Sequence, residues 1–173
     1  MNKGKIEIGI LGGSFDPAHK GHLAISKEAR KRFKLKKIIW AITKKNPLKA
    51  VSKTPVSKRI KDCKKLIGSN TFIKVKFYED TINSNKTIDL INYLKKNKKL
   101  EIFFLMGADN LISFHKWHKS KLITEKCNII VFDRHGYKKN SLKSKTFKKL
   151  NNKTLTFVKF KKVNISSSQL RKI

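Results

Sequence analysis

The chain has 173 residues, enough for one hydrophobic core and short of the length at which a second domain is expected. It carries 43 Lys and Arg against 11 Asp and Glu, a net charge of +32, yet 38 of the basic residues are Lys and five are Arg. That bias argues against a dedicated reader of bases or phosphates, which draws on the bidentate Arg fork, and no apolar run approaches the roughly 20 residues of a membrane span.

The first apolar run, residues 6–11, reads as a buried strand, and residues 19–33 have the apolar spacing of a helix. Between and into them runs Gly12-Gly13-Ser14-Phe15-Asp16-Pro17-Ala18-His19-Lys20-Gly21-His22. A glycine-bearing turn from strand to helix lets phosphate oxygens approach bare backbone and meet the N–H groups of the helix start. His19 and His22, three residues apart, share a helix face, and Gly21 leaves the backbone bare between them. The spacing is neither Gly-x-Gly-x-x-Gly nor a P-loop. Taken alone, the histidine pair fits ordinary surface polarity equally well.

Further strands are expected at 37–42, 72–77, 101–106, 128–133 and 155–159, separated by helices at 57–67, 87–97 and 120–126. This alternation predicts an α/β fold, a Rossmann-like doubly wound parallel sheet flanked by helices. Such sheets bind ligands beyond the carboxyl ends of their strands, where Gly12 to His22, Lys44 to Lys49, Gly107 to Asp109 and Arg134 to Tyr137 fall. The Lys-rich stretches 44–58 and 138–149 read as mobile, solvated connections. Near the far end, Ile165-Ser166-Ser167-Ser168-Gln169-Leu170-Arg171 reads as a helix start with hydroxyl caps, available amides and an Arg one turn in. Cys63 and Cys127 form no Cys-x-x-Cys pair, so free thiols in a reducing compartment are expected. The first five residues lack the apolar stretch of a signal peptide, which adds to the expectation of a cytoplasmic protein.

The run from Gly12 to His22 resembles the first signature of the nucleotidyltransferase superfamily, whose core is His-x-Gly-His. Ile165 to Arg171 resembles its second, Ile-Ser-Ser-Thr-x-x-Arg, with Ser168 in place of the Thr. Over nearly the whole chain the likeness is to the bacterial nicotinate-nucleotide adenylyltransferase family. Asn46-Pro47-Leu48-Lys49, Thr87-Ile88-Asp89, Met106-Gly107-Ala108-Asp109-Asn110, Phe114-His115-Lys116-Trp117 and Arg134-His135-Gly136-Tyr137 carry it. Lys86 stands where that family usually has an aromatic residue, and Ser120 and Lys121 occupy the stretch where a second Trp is common.

The resemblance implies one nucleotidyltransferase domain over residues 1–173 that transfers AMP from ATP to nicotinate mononucleotide, a step of NAD biosynthesis. It assigns His19 and His22 to the α- and β-phosphates, and Lys49 and Arg171 to the departing pyrophosphate. Gly12, Gly13, Ser14, Phe15, Gly21, Gly107, Asp109, Ile165, Ser166, Ser167 and Ser168 would surround ATP. Asp16, Thr87, Trp117 and Arg134 would surround the acceptor, and Asp109 is also expected to cap the helix that follows it. Mg²⁺ would arrive with ATP, bridging its phosphates, since no carboxylate cluster offers a dedicated cage. The implied partners are small molecules, with no specific nucleic acid and no membrane. Two other readings differ from this one. A phosphopantetheine adenylyltransferase shares the fold and both signatures but has Thr in place of the first His, unlike His19. A basic nucleic-acid-binding α/β module would suit the large positive field.

Overall fold

In the computed structural model, residues 4–45, 52–151 and 153–160 are described. Six strands, β1 (Ile6–Gly13), β2 (Lys37–Ile42), β3 (Ile73–Lys76), β4 (Leu100–Gly107), β5 (Asn128–Phe132) and β6 (Leu155–Val158), form one sheet in the order β3-β2-β1-β4-β5-β6. Every pairing is parallel. The strand order reverses between β1 and β4, which opens a crevice beyond their carboxyl ends.

Alternation along the strands assigns each face its own core. On β2, Ile38, Trp40 and Ile42 point to one side with Phe15, Ala29, Cys63 and Phe132, while Ile39 and Ala41 point to the other with Ile88, Ile91 and Phe104. Burying each large apolar side chain contributes about 1.5–3 kcal/mol of transfer free energy. Two helices, α1 (Lys20–Phe33) and α2 (Val56–Ile67), border the first core. The second is covered by α4 (Thr87–Lys95), α5 (Ala108–Ser113) and α6 (Ser120–Lys126), the last two joined through a 3₁₀ turn at Phe114–Lys116. Gly9 lets these layers close: a Cβ there would lie 2.6 Å from Ile38 Cδ1 and 3.0 Å from Leu35 Cδ1.

Three short helices depart from the expected pattern. Glu79–Ile82 forms α3, and Lys138–Leu142 and Lys145–Leu150 form α7 and α8. The stretch 138–149 is therefore not a solvated connection. Ser141 and Thr146 are buried, Phe147 and Leu150 pack on the core, and Ser144 Oγ caps α8 by accepting from the Phe147 N–H at 3.1 Å. The high lysine content hides an apolar stripe that only every third or fourth residue supplies. In the other Lys-rich stretch, residues 46–51 lie outside the described residues, and α2 begins at Val56.

Candidate active site

The turn from β1 into α1 ends on His19, which is the N-cap of α1 with extended backbone, φ −145° and ψ 170°. Its Nδ1 accepts the Gly21 N–H at 3.1 Å, and His22 Nδ1 accepts the His19 N–H at 3.1 Å. The pair forms a capping box made of imidazoles, a role usually taken by Ser or Thr with Glu. Helix-start amides expected to meet phosphate are thus engaged by the rings. In exchange, each ring is fixed in the tautomer with hydrogen on Nε2. The centroids lie 3.9 Å apart, so both Nε2–H donors belong to one small region beside the helix start.

His22 rests on an aromatic base. Its ring lies 4.6 Å from that of Phe15, which stacks on Trp40 at 5.0 Å and 17°. Trp40 donates its indole N–H to Ser26 Oγ at 2.8 Å, and the Ser26 hydroxyl donates to the His22 carbonyl at 2.8 Å. Phe15 has φ 49°, in the left-handed region, and is 1% exposed. Its ring is core, and the 1% exposure is that of the whole residue, backbone included. Asp16 is also buried, and it accepts from the Ser52 hydroxyl.

Across the crevice, β4 ends at Gly107, where a Cβ would sit 2.5 Å from Asp109 Oδ1. Gly107 is the N-cap of α5 and Asp109 lies in its first turn, so Asp109 is not the cap expected from the sequence. Instead its Oδ2 accepts from Arg134 Nη1 at 2.6 Å. Burial pushes the His19 imidazole down to about 4, and the charge of Arg134 adds to the effect. His19 is therefore neutral at physiological pH and offers a hydrogen without carrying a charge. Arg134 thus belongs with Asp109 and His19. The resemblance groups it with Thr87 and Trp117, and it is not among the residues lining the cleft those two share.

That cleft has a volume of about 380 Å³ and is walled by Gly12, Gly13, Thr43, Thr87, Phe104 and Trp117, with Asn85 and His118 also lining it. Trp117 meets Phe104 edge-on at 6.0 Å and Phe114 at 5.2 Å. It is half-buried, with one part of the indole in the core and the rest on the cleft. Thr87 opens α4, and Lys86 and Lys116 bring positive charge to the same opening. Lys49, Ile165, Ser166, Ser167, Ser168 and Arg171 lie outside the described residues. No local sequence pattern marks Asn85 or His118 as lining the cleft. Arg59 was likewise not expected at the site, although an Arg four residues before Cys63 on an otherwise apolar helix face is a legible signal.

A family model described as Cytidylyltransferase-like matches residues 10–173. A protein of Pelagibacter ubique (strain HTCC1062), "Probable nicotinate-nucleotide adenylyltransferase", is 67% identical over 173 residues, covering 100% of this chain and 96% of that protein. One of the same name from Agrobacterium fabrum (strain C58 / ATCC 33970) is 38% identical over 131 residues, 75% of this chain and 70% of that protein. Among solved structures, Plasmodium falciparum nicotinic acid mononucleotide adenylyltransferase complexed with NaAD superposes with a TM-score of 0.77 at 22% identity. The match covers 96% of this chain and 82% of that one, and at that identity the likeness is one of fold.

Proposed function

Since the chain belongs to the nicotinate-nucleotide adenylyltransferase family, within the Cytidylyltransferase-like group, we propose that it transfers AMP from ATP to nicotinate mononucleotide in NAD biosynthesis. The products are nicotinic acid adenine dinucleotide and pyrophosphate. We read residues 1–173 as one nucleotidyltransferase domain, acting in the cytoplasm. Two buried free thiols support that location, and among the described residues no helix is long and apolar enough to cross a membrane.

The observation that carries this reading is the pair of Nε2–H donors at the switch point, next to a cleft sized for a mononucleotide. An oxygen of the acceptor phosphate attacks the α-phosphorus of ATP, forming one P–O bond as the bond to the β-phosphate breaks. That oxygen is ionised at neutral pH, so no general base is required. The protein's work is orientation and stabilisation of the charge that develops on the phosphoryl oxygens. His19 and His22 donate to the α- and β-phosphate oxygens, and Gly12 and Gly13 let the triphosphate come close. Lys49 and Arg171 would hold the leaving pyrophosphate, with Ser166, Ser167 and Ser168 cradling it, as the family's signatures imply. Trp117 and Thr87 hold the pyridine ring and its carboxylate.

ATP enters as its Mg²⁺ complex, the ion being part of the substrate. Among the described residues no three His, Cys, Asp or Glu side chains converge to hold one independently. The test is pyrophosphate release from Mg·ATP in the presence of single acceptors. Release that requires nicotinate mononucleotide supports the reading; release driven by phosphopantetheine in its place refutes it.

A further inference from the structure

Arg59 stands out among the buried residues. It lies on α2, 2% exposed, and is a cation whose hydrogen bonds run to main-chain oxygens of three separate segments. Nη1 donates to the Ser14 carbonyl at 2.7 Å and to the Thr43 carbonyl at 2.7 Å. Nη2 donates to the Lys44 carbonyl at 3.3 Å, and Nε to the Thr54 carbonyl at 2.9 Å. Ser14 belongs to the turn that leads to His19. Thr43 and Lys44 begin the loop that leaves β2, and Thr54 precedes α2. The parallel ladder between β1 and β2 ends nearby with the Thr43 N–H on the Gly13 carbonyl at 2.9 Å. Beyond that bond, the guanidinium ties the two loops together.

Resting on the adenylyl-transfer reading, we infer that Arg59 is a positioning residue, a buried clamp that fixes the β1–α1 turn against the loop after β2. It thereby sets the placement of His19 and His22 relative to the phosphates. Four carbonyls shared among Nε, Nη1 and Nη2 use the spread donors of a guanidinium, whereas an ammonium radiates three hydrogens from one point and cannot reach all four. Burial pushes the guanidinium pKa down, and the charges of Asp16 and Glu79 work against that shift, while the carbonyl dipoles take up its hydrogens. Buried carbonyls that lose their donor draw the two loops toward water or toward each other. A displacement of about 1 Å at a catalytic group is enough to cost roughly 100-fold in rate.

The test uses Arg59→Lys, which retains stem and charge, and Arg59→Met, which retains the stem alone, each assayed well below its own melting temperature. Turnover should fall at least roughly tenfold in both. The KM for nicotinate mononucleotide should rise by less than turnover falls, because of the residues that wall the cleft only Thr43 bonds to Arg59, while Trp117 and Thr87 lie on other elements. Amide hydrogen exchange supplies a readout independent of activity: it should accelerate at Ser14, Phe15, Thr43 and Lys44 and stay unchanged at Leu111 and Ile112 of α5. A folded variant with normal turnover and only a lower melting temperature would overturn the inference. An inactive wild type would instead overturn the adenylyl-transfer reading. The exchange contrast then decides the clamp alone, with unchanged exchange at Ser14 and Thr43 refuting it.

Discussion

A histidine that accepts a backbone N–H at Nδ1 must give up that bond to become doubly protonated, so capping of α1 and protonation of His19 are one equilibrium. Burial and Arg134 push the same way, holding the group down to about 4 against an ordinary 6.5. The unfolded chain takes up a proton near 6.5 where the native state does not. His19 therefore contributes stability that is fully present above pH 6.5 and is lost as pH falls from 6.5 toward 4. Urea midpoints measured across that window should decline in the wild type and decline less in His19→Asn, and equal slopes would contradict the shift. Asn at the N-cap keeps an acceptor for the Gly21 N–H but cannot reach where Nε2 sits. His19→Asn should therefore melt close to the wild type with turnover reduced roughly 100- to 1000-fold, the cost of one oxyanion-type donor. His22→Ala should lose turnover similarly and also about 1 kcal/mol of stability, because its ring completes the capping box. Thermal melts alongside steady-state rates separate the two effects. The sequence announced these rings through their spacing and the glycines around them, but which nitrogen holds the hydrogen follows from backbone contacts that appear only on folding.

At the scale of elements, all six strands were legible because a parallel sheet buried on both faces writes itself as runs of Ile, Val, Leu and Phe. The long helices were legible from their periodicity. Of the short ones, α5 and α6 were expected, whereas α3 has four residues, too few for a period to repeat. In α7 and α8 tertiary burial of Ser141, Thr146 and Phe147 overrides a composition dominated by Lys. Asp109 was misplaced as a cap for a related reason, since Gly107 ends β4 one residue before α5 and leaves Asp109 turned toward Arg134. The 3₁₀ turn that closes on Trp117 has consequences for the acceptor. Because the indole packs on Phe104 and Phe114 while bordering the cleft, Trp117→Ala should weaken both acceptor binding and stability. Trp117→Phe should retain much of the packing and discriminate between the two roles. Stacking of this kind contributes on the order of 1–3 kcal/mol, so the alanine variant should raise the acceptor KM roughly 5- to 150-fold with the ATP KM nearly unchanged. Equal rises in both KM values would contradict a stacking role.

For the molecule as a whole, the strand order β3-β2-β1-β4-β5-β6 brings the histidine turn, the Gly107–Asp109 turn, Thr43 and Arg134 to one end of the sheet. None of these groups is close to all the others in sequence; the switch point assembles them. The net charge of +32 gives the molecule as a whole a field that attracts anions, and both proposed substrates are anionic. Selectivity must come from the cleft, because the field does not distinguish one phosphate ester from another. The direct measurement is a single competition with ATP labelled at the α-phosphorus, Mg²⁺, and equal concentrations of nicotinate mononucleotide, nicotinamide mononucleotide and phosphopantetheine. The account predicts label chiefly in nicotinic acid adenine dinucleotide, at least roughly tenfold over the amide product, since the amide loses a charge-assisted hydrogen bond, and none in a pantetheine product. Label chiefly in dephospho-coenzyme A, or in no acceptor while pyrophosphate fails to appear, would contradict it.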